Sequence, residues 1–182
     1  MTSVTKPRIV IQELHERHIG LTPALSAAFS EAATVCLSRH HSSPVEFSVA
    51  NPKVVDHVVE FAIPEKRTLN AWANDIDATE FGAYGLCLAA LEVAESLVAV
   101  RRAETLTGAD WYVAPVGTET QDLEDCFRLE VSGVDLGGSA IVSARLRQKV
   151  EQTRRGNSNI PAIATVVGFK ERTVAIERVE AL

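Results

Sequence analysis

Two short segments near the middle of the chain leave few folds open. Trp111-Tyr112-Val113-Ala114 follows Gly108-Ala109-Asp110 and is apolar and aromatic throughout, the composition of a strand. Cys126-Phe127-Arg128-Leu129-Glu130-Val131-Ser132-Gly133 alternates. Phe127, Leu129 and Val131 fall on one face and Arg128, Glu130 and Ser132 on the other, because successive strand side chains point to opposite sides. A turn through Asp135 to Gly138 then leads into a helix with Ile141, Val142, Leu146 and Val150 on its apolar side and Arg145, Arg147, Gln148 and Lys149 around it. Ser139 is its expected cap and Gly156-Asn157 its expected stop. Pro161 to Phe169 is apolar throughout, as in a strand covered on both faces. Short connections make the earlier strands antiparallel neighbours, and the crossover helix lets the later one pair in parallel. The expected class is α/β: a mixed sheet flanked by helices.

The first part of the chain adds a strand, a helix and a hairpin. Arg8 to Leu14 reads as a strand, and Thr22-Pro23 opens a helix with an apolar stripe as far as His40. His40-His41 suits the C-terminal end of that helix and cannot share a face as metal ligands. Val45 to Val49 and Val54 to Ile63 form an expected hairpin through Asn51-Pro52, and Pro64 to Asn70 a polar connection. Asp77-Ala78-Thr79-Glu80 has the form of a capping box for a helix ending near Ser96, after which Val98 to Val100 is a short strand. Val174-Ala175-Ile176 is expected as a final, outer strand whose free edge could pair between subunits. The chain divides into a strand–helix–hairpin extension over 1–76 and a core over 77–182.

Composition excludes several classes of function. The longest apolar run, Ala83 to Ala94, is interrupted by Glu92 and is too short to span a bilayer. No signal-peptide core follows Ile9-Val10-Ile11. Cys36, Cys87 and Cys126 are widely spaced in apolar surroundings, which reads as buried thiols in a reducing cytoplasm. A net charge of −6 argues against a stand-alone DNA binder, although Arg101-Arg102, Arg145 to Lys149 and Arg154-Arg155 are local basic clusters. There is no phosphate loop and no Gly-x-Gly-x-x-Gly, and His15, His18 and His57 have no ligand spacing.

From Asp77 the order is helix, strand, strand, strand, helix, strand, with Asp110 opening the second strand and Glu130 on the third, 130 − 110 = 20 residues later. That order resembles the PD-(D/E)XK nuclease-like superfamily, with a restriction-endonuclease-like core over 77–182. The chain is also similar to small bacterial proteins of no assigned activity that share a Gly-x-Asp-Tyr/Trp turn and an Arg-Leu-Glu-Val-Ser-Gly strand. The resemblance implies catalytic acids at Asp110 and Glu130 and a Mg²⁺ ion held by them. Glu80, or less well Glu92, stands where many members carry an extra acid. The resemblance also puts Gln148 and Lys149 where some members place a supporting glutamine or a migrated lysine. Arg145, Arg147 and Lys149 then become candidates to meet nucleic acid.

The departure is Ser132, which stands where active members have lysine. Lys149 either reaches in from the helix to replace it or is a solvent-facing residue of a basic helix, which ordinary lysine exposure favours. Two functions follow from the resemblance. One is a catalytically silent nuclease-like subunit serving as an accessory or interaction module in a bacterial complex, such as a defence system. Its partner would be another protein or a second copy, with nucleic acid met through the larger assembly and no membrane involved. The other is an active Mg²⁺-dependent DNA or RNA nuclease using Asp110, Glu130 and Lys149.

Overall fold

The computed structural model describes residues 5–105, 107–118, 123–155 and 158–180, so the Gly156-Asn157 stop lies outside the described residues. Helix α1 (Pro23–His40) starts as its sequence demands, with the Thr22 hydroxyl accepting the Leu25 N–H and proline at its first position. Strands β2 (Val45–Asn51) and β3 (Lys53–Val59) form the expected hairpin, but β3 stops before Ile63. The supposed polar connection contains a short helix, α2 (Lys66–Ala71). Helix α3 (Asp75–Glu95) begins earlier than the capping box suggests. The Asn74 side chain accepts the Ile76 and Asp77 N–H groups, so Asp77 lies inside the first turn, where its charge suits the helix dipole. Helix α4 (Ser139–Arg154) is flanked by Gly138, and Ser139 makes no cap bond.

Among the described residues one sheet collects eight strands in the order β1-β3-β2-β8-β7-β6-β5-β4, with β1 at Arg8–Ile9, β4 at Leu97–Arg102, β5 at Trp111–Pro115, β6 at Phe127–Val134, β7 at Ala162–Gly168 and β8 at Thr173–Val179. The meander β4–β5–β6 is antiparallel, and β7 joins β6 in parallel after α4, as the connection lengths require. The expected outer position of β8 is wrong. It lies between β7, antiparallel, and β2, parallel, with Val174 and Ile176 buried, so the free edge expected there does not exist. Nothing in the Val174–Ile176 pattern distinguishes a half-covered edge from an interior strand. The sheet therefore continues without a break from the N-terminal hairpin into the later strands.

The sheet is curled, and the N-terminal segment shows why it must be. Strands about 4.8 Å apart would set β1 and β4 roughly 34 Å from each other if the sheet were flat. Yet the chain leaves β1 at Ile9 and has reached β4 by Gly20, after a 3-10 turn at Leu14–Glu16. The Gly20 N–H donates to the Ala99 carbonyl at 2.9 Å, and His18 Nδ1 accepts the Ala99 N–H at 2.9 Å. A Cβ on residue 20 would lie 2.5 Å from the Val100 carbonyl carbon, so only glycine allows this approach. The sheet wraps its concave face around α1 and α3, whose apolar residues join Phe47, Leu129, Ile163 and Val167 in the main core. Alternate residues of β7, Ala162, Ala164 and Val166, pack on the other side against Val142 and Val150 of α4. Strand β7 is thus covered on both faces, as its unbroken apolar run implies.

His18 gives this closure a pH dependence. Its ring is fully buried, and with Nδ1 accepting from Ala99 the proton sits on Nε2, 3.3 Å from Glu92. Burial pushes its pKa below 6.5, with Glu92 pulling the other way less strongly. The unfolded chain therefore takes up this proton first as pH falls. The contribution to stability is complete above about 6.5 and declines as pH drops from there toward the folded value. Urea denaturation at stepped pH from neutral into the acid range is expected to show this loss, and His18→Asn should flatten it. An unchanged slope in the variant would assign the effect to another group.

Candidate functional site

Strand β5 pairs with β6 only from Phe127 to Leu129. Beyond that point β6 runs on beside β7, and its other edge, Glu130 to Val134, is open. The N-terminal half of α3 and the first turns of α4 stand over this open stretch, and between them lies a cleft of about 670 Å³. Asp110, Glu130, Ser132, Glu80, Arg145 and Lys149 all line it.

Asp110 closes the gap left by β5. Its N–H donates to the Leu129 carbonyl at 2.8 Å, and its Oδ2 accepts the Val131 N–H at 2.8 Å, taking the place of a strand partner. Its Oδ1 accepts from the Tyr84 hydroxyl at 2.8 Å, with an Arg102 nitrogen 3.8 Å away. Glu130 projects from β6 toward α4, where the Lys149 ammonium donates to its Oε1 at 2.5 Å. Only 8% of the Glu130 side chain and 17% of the Lys149 side chain are exposed. Burial raises the Glu130 pKa, the Lys149 hydrogen bond opposes that, and the nearby Asp110 charge adds to it. Lys149 is therefore not a solvated surface lysine. It stands beside buried Val150 on the side of α4 that covers the sheet, and its stem carries the charge back into the cleft.

Tyr84 connects the remaining acid. Its hydroxyl lies 2.8 Å from Asp110 and 3.1 Å from Glu80 Oε1, and it accepts from Arg102 at 3.2 Å. A phenol has one hydrogen to give, and the closer Asp110 takes it. The longer contact to Glu80 is the weaker of the two. Burial, then the Asp110 charge, raises the Tyr84 pKa, so the phenol stays protonated. The Arg102 guanidinium stacks over the rings of Tyr84 and Trp111 at 4.8 and 5.0 Å.

No family model, curated protein or solved structure matches this chain. Its site is read from its own chemistry. The sequence brought Asp110, Glu130, Ser132, Lys149 and Glu80 into view, and all five share the cleft. Arg145 lines it as well, whereas Arg147 and Gln148 are exposed on α4 and do not. Glu92 is elsewhere, bound by Arg17 at 2.9 and 3.0 Å next to His18. Tyr84 is not among the sequence candidates, and Arg102 is there only as part of a local basic cluster and not as a neighbour of Asp110. Tyr84 was open to detection, since it follows Glu80 by one helical turn and must share its face. Arg102 was not, because its placement depends on the pairing of β4 with β5.

Among the described residues no three His, Cys, Asp or Glu side chains converge as a metal cage. Mg²⁺ does not need one, since it keeps several waters and is commonly held by one or two carboxylates. Asp110, Glu130 and Glu80 are the carboxylates of the cleft that a cation would have to use. The described residues contain no helix long and apolar enough to cross a membrane.

Proposed function

We propose that the chain is a Mg²⁺-dependent phosphodiester hydrolase of the PD-(D/E)XK kind, in which the lysine has moved from the strand to the following helix. The observation that carries this reading is the 2.5 Å contact between Lys149 and Glu130 in a cleft shared with Asp110. Ser132 is too short to do what a lysine does at its position. The Lys149 ammonium, arriving from α4, supplies a positive charge beside the same glutamate. Asp110 and Glu130 would hold the ion, which lowers the pKa of a bound water and offsets charge growing at phosphorus. Lys149 would hold its ammonium toward the charge developing on the phosphate, Tyr84 fixes the Asp110 carboxylate, and Arg145 would meet phosphate at the rim.

One observation favours the silent, interacting subunit instead. Lys149 and Glu130 neutralise each other, and a buried ion pair of this kind also serves structure alone. Calorimetry with Mg²⁺ and Mn²⁺ separates the two. Wild type is expected to bind the ion, and Asp110→Asn and Glu130→Gln are expected to lose that binding while staying folded by circular dichroism. Cleavage of labelled DNA and RNA should follow the same pattern. A folded wild-type protein that binds neither ion would sink the hydrolase and leave the interaction module.

A further inference from the structure

Glu130, Lys149 and Asp110 lie below the surface, and the exposed residues that line the same cleft include three large apolar ones beside the charged Asp75 and Arg145. The side chains of Glu130, Lys149 and Asp110 are 8%, 17% and 20% exposed. On the rim of the same cleft, Ile76 at the start of α3, Leu136 in the β6–α4 turn and Ile141 in the first turn of α4 are 76%, 70% and 55% exposed. Three large aliphatic side chains from three elements thus form one lip beside a charged floor. Exposed aliphatics placed singly call for no explanation, but a cluster on the edge of a polar cleft marks a contact surface.

The turn that carries Leu136 is anchored on both sides. Asp135, directly before Leu136, is bound by Arg39 at 3.1 Å and His40 at 2.8 Å, and its carbonyl accepts the Lys170 N–H at 3.2 Å. On the other side, Gly137 lies so close to Ile141 that a Cβ there would come within 2.8 Å of it. Leu136 is therefore kept in solvent by the anchoring of its neighbours, at a cost in exposed apolar surface that a ligand would remove.

We infer that the cleft takes a single-stranded nucleic acid, laying an unstacked base on the Ile76–Leu136–Ile141 lip while the adjoining phosphate descends to Glu130 and Lys149. This inference rests on the hydrolase reading and names its substrate class. A duplex is stiff, and its scissile phosphate is flanked by stacked pairs that keep it away from recessed groups. A flexible strand can bend inward. A chain of net charge −6 is also poorly suited to track the dense phosphates of a duplex. A base with a free face finds a partner in apolar side chains as flipped bases do.

The test compares a labelled oligothymidine with a duplex of equal length by fluorescence anisotropy, using the full chain with Ca²⁺ in place of Mg²⁺ so that the strand is held and not cut. The single strand is expected to bind about tenfold tighter or better, and Leu136→Ser and Ile141→Ser each to weaken it several-fold, in keeping with the worth of one base contact. The Mg²⁺ heat of both variants should match wild type. Equal binding of strand and duplex, or lip variants that bind the strand normally, would overturn the inference even where Mg²⁺ binding and cleavage persist. A wild-type dimer that Leu136→Ser converts to monomer in light scattering would also overturn it, since the lip would then bury a second copy. Single-strand binding that depends on Leu136 in a protein with no Mg²⁺ heat supports the lip and overturns only the hydrolase.

Discussion

Lys149→Met is expected to remove Mg²⁺-dependent cleavage, by about 10²–10³ in rate, the cost of losing one preorganised charge at the reacting centre. It is also expected to lower stability by about 3 kcal/mol, the low end for breaking a buried ion pair, because Lys149 keeps some contact with water. The stability loss should grow with pH. Glu130 has its pKa raised above 4.5 by burial, so its contribution is complete below the unfolded value and is lost as pH rises through the folded one. Lys149 opposes that rise in wild type. Without it the folded pKa moves further up, and Lys149→Met should lose stability more steeply than wild type between acid and neutral pH. The double variant Lys149→Met/Glu130→Leu should regain most of the stability and none of the activity, since an apolar pair of similar size often replaces a buried ion pair without penalty. Urea titrations of the four proteins complete the cycle. If the single variant is as stable as wild type at every pH, the two side chains are not coupled.

Gly133→Ala should be nearly as damaging, and for a reason of shape. A Cβ there would lie 2.6 Å from the Thr79 methyl, 2.7 Å from the Thr79 carbonyl oxygen and 3.2 Å from Ala83. The methyl can turn aside, but the carbonyl belongs to the backbone of α3 and cannot move alone. The helix must back away from β6, at a cost of about 3 kcal/mol by the usual scale of overpacking. Because Glu80 and Tyr84 ride on α3, that shift also pulls the Tyr84 hydroxyl from Asp110. The variant is expected to lose both thermal stability and metal affinity, and Gly133→Ala/Thr79→Ser should recover only part of either. Full recovery would mean that the methyl alone is responsible.

Much of this site was legible before the fold was known, because the sequence signals were local. Strand alternation put Glu130 opposite Leu129 and Val131, and the short β4–β5–β6 connections brought Asp110 beside it. Lys149 was misjudged for a specific reason. Helical spacing shows that it adjoins Val150 but not whether its long stem runs outward or back along the sheet. The apolar lip was illegible because Ile76, Leu136 and Ile141 come from separate elements and look like ordinary core residues in sequence. The position of β8 was missed on similar grounds. Its alternation is the same whether its outer edge meets water or β2, and the partner that covers it lies in the first third of the chain.

That placement of β8 has a consequence for the order in which the protein can be built. Strands β1, β3 and β2 come early in synthesis and β4 to β7 follow, yet no strand of one group pairs with a strand of the other until Thr173–Val179 has left the ribosome. Ser48 then waits for Thr173, a partner 173 − 48 = 125 residues away. Until it arrives, β2 and β7 each show an unpaired edge, the kind of surface on which nascent chains join one another. A ribosome that stalls shortly before β8 would release two half-sheets with no strand between them, held by the Gly20–Ala99 contact and the packing of α1 against α3. Slow, late closure of this kind is what non-local strand pairing demands, and it makes chaperone supply during translation a determinant of yield.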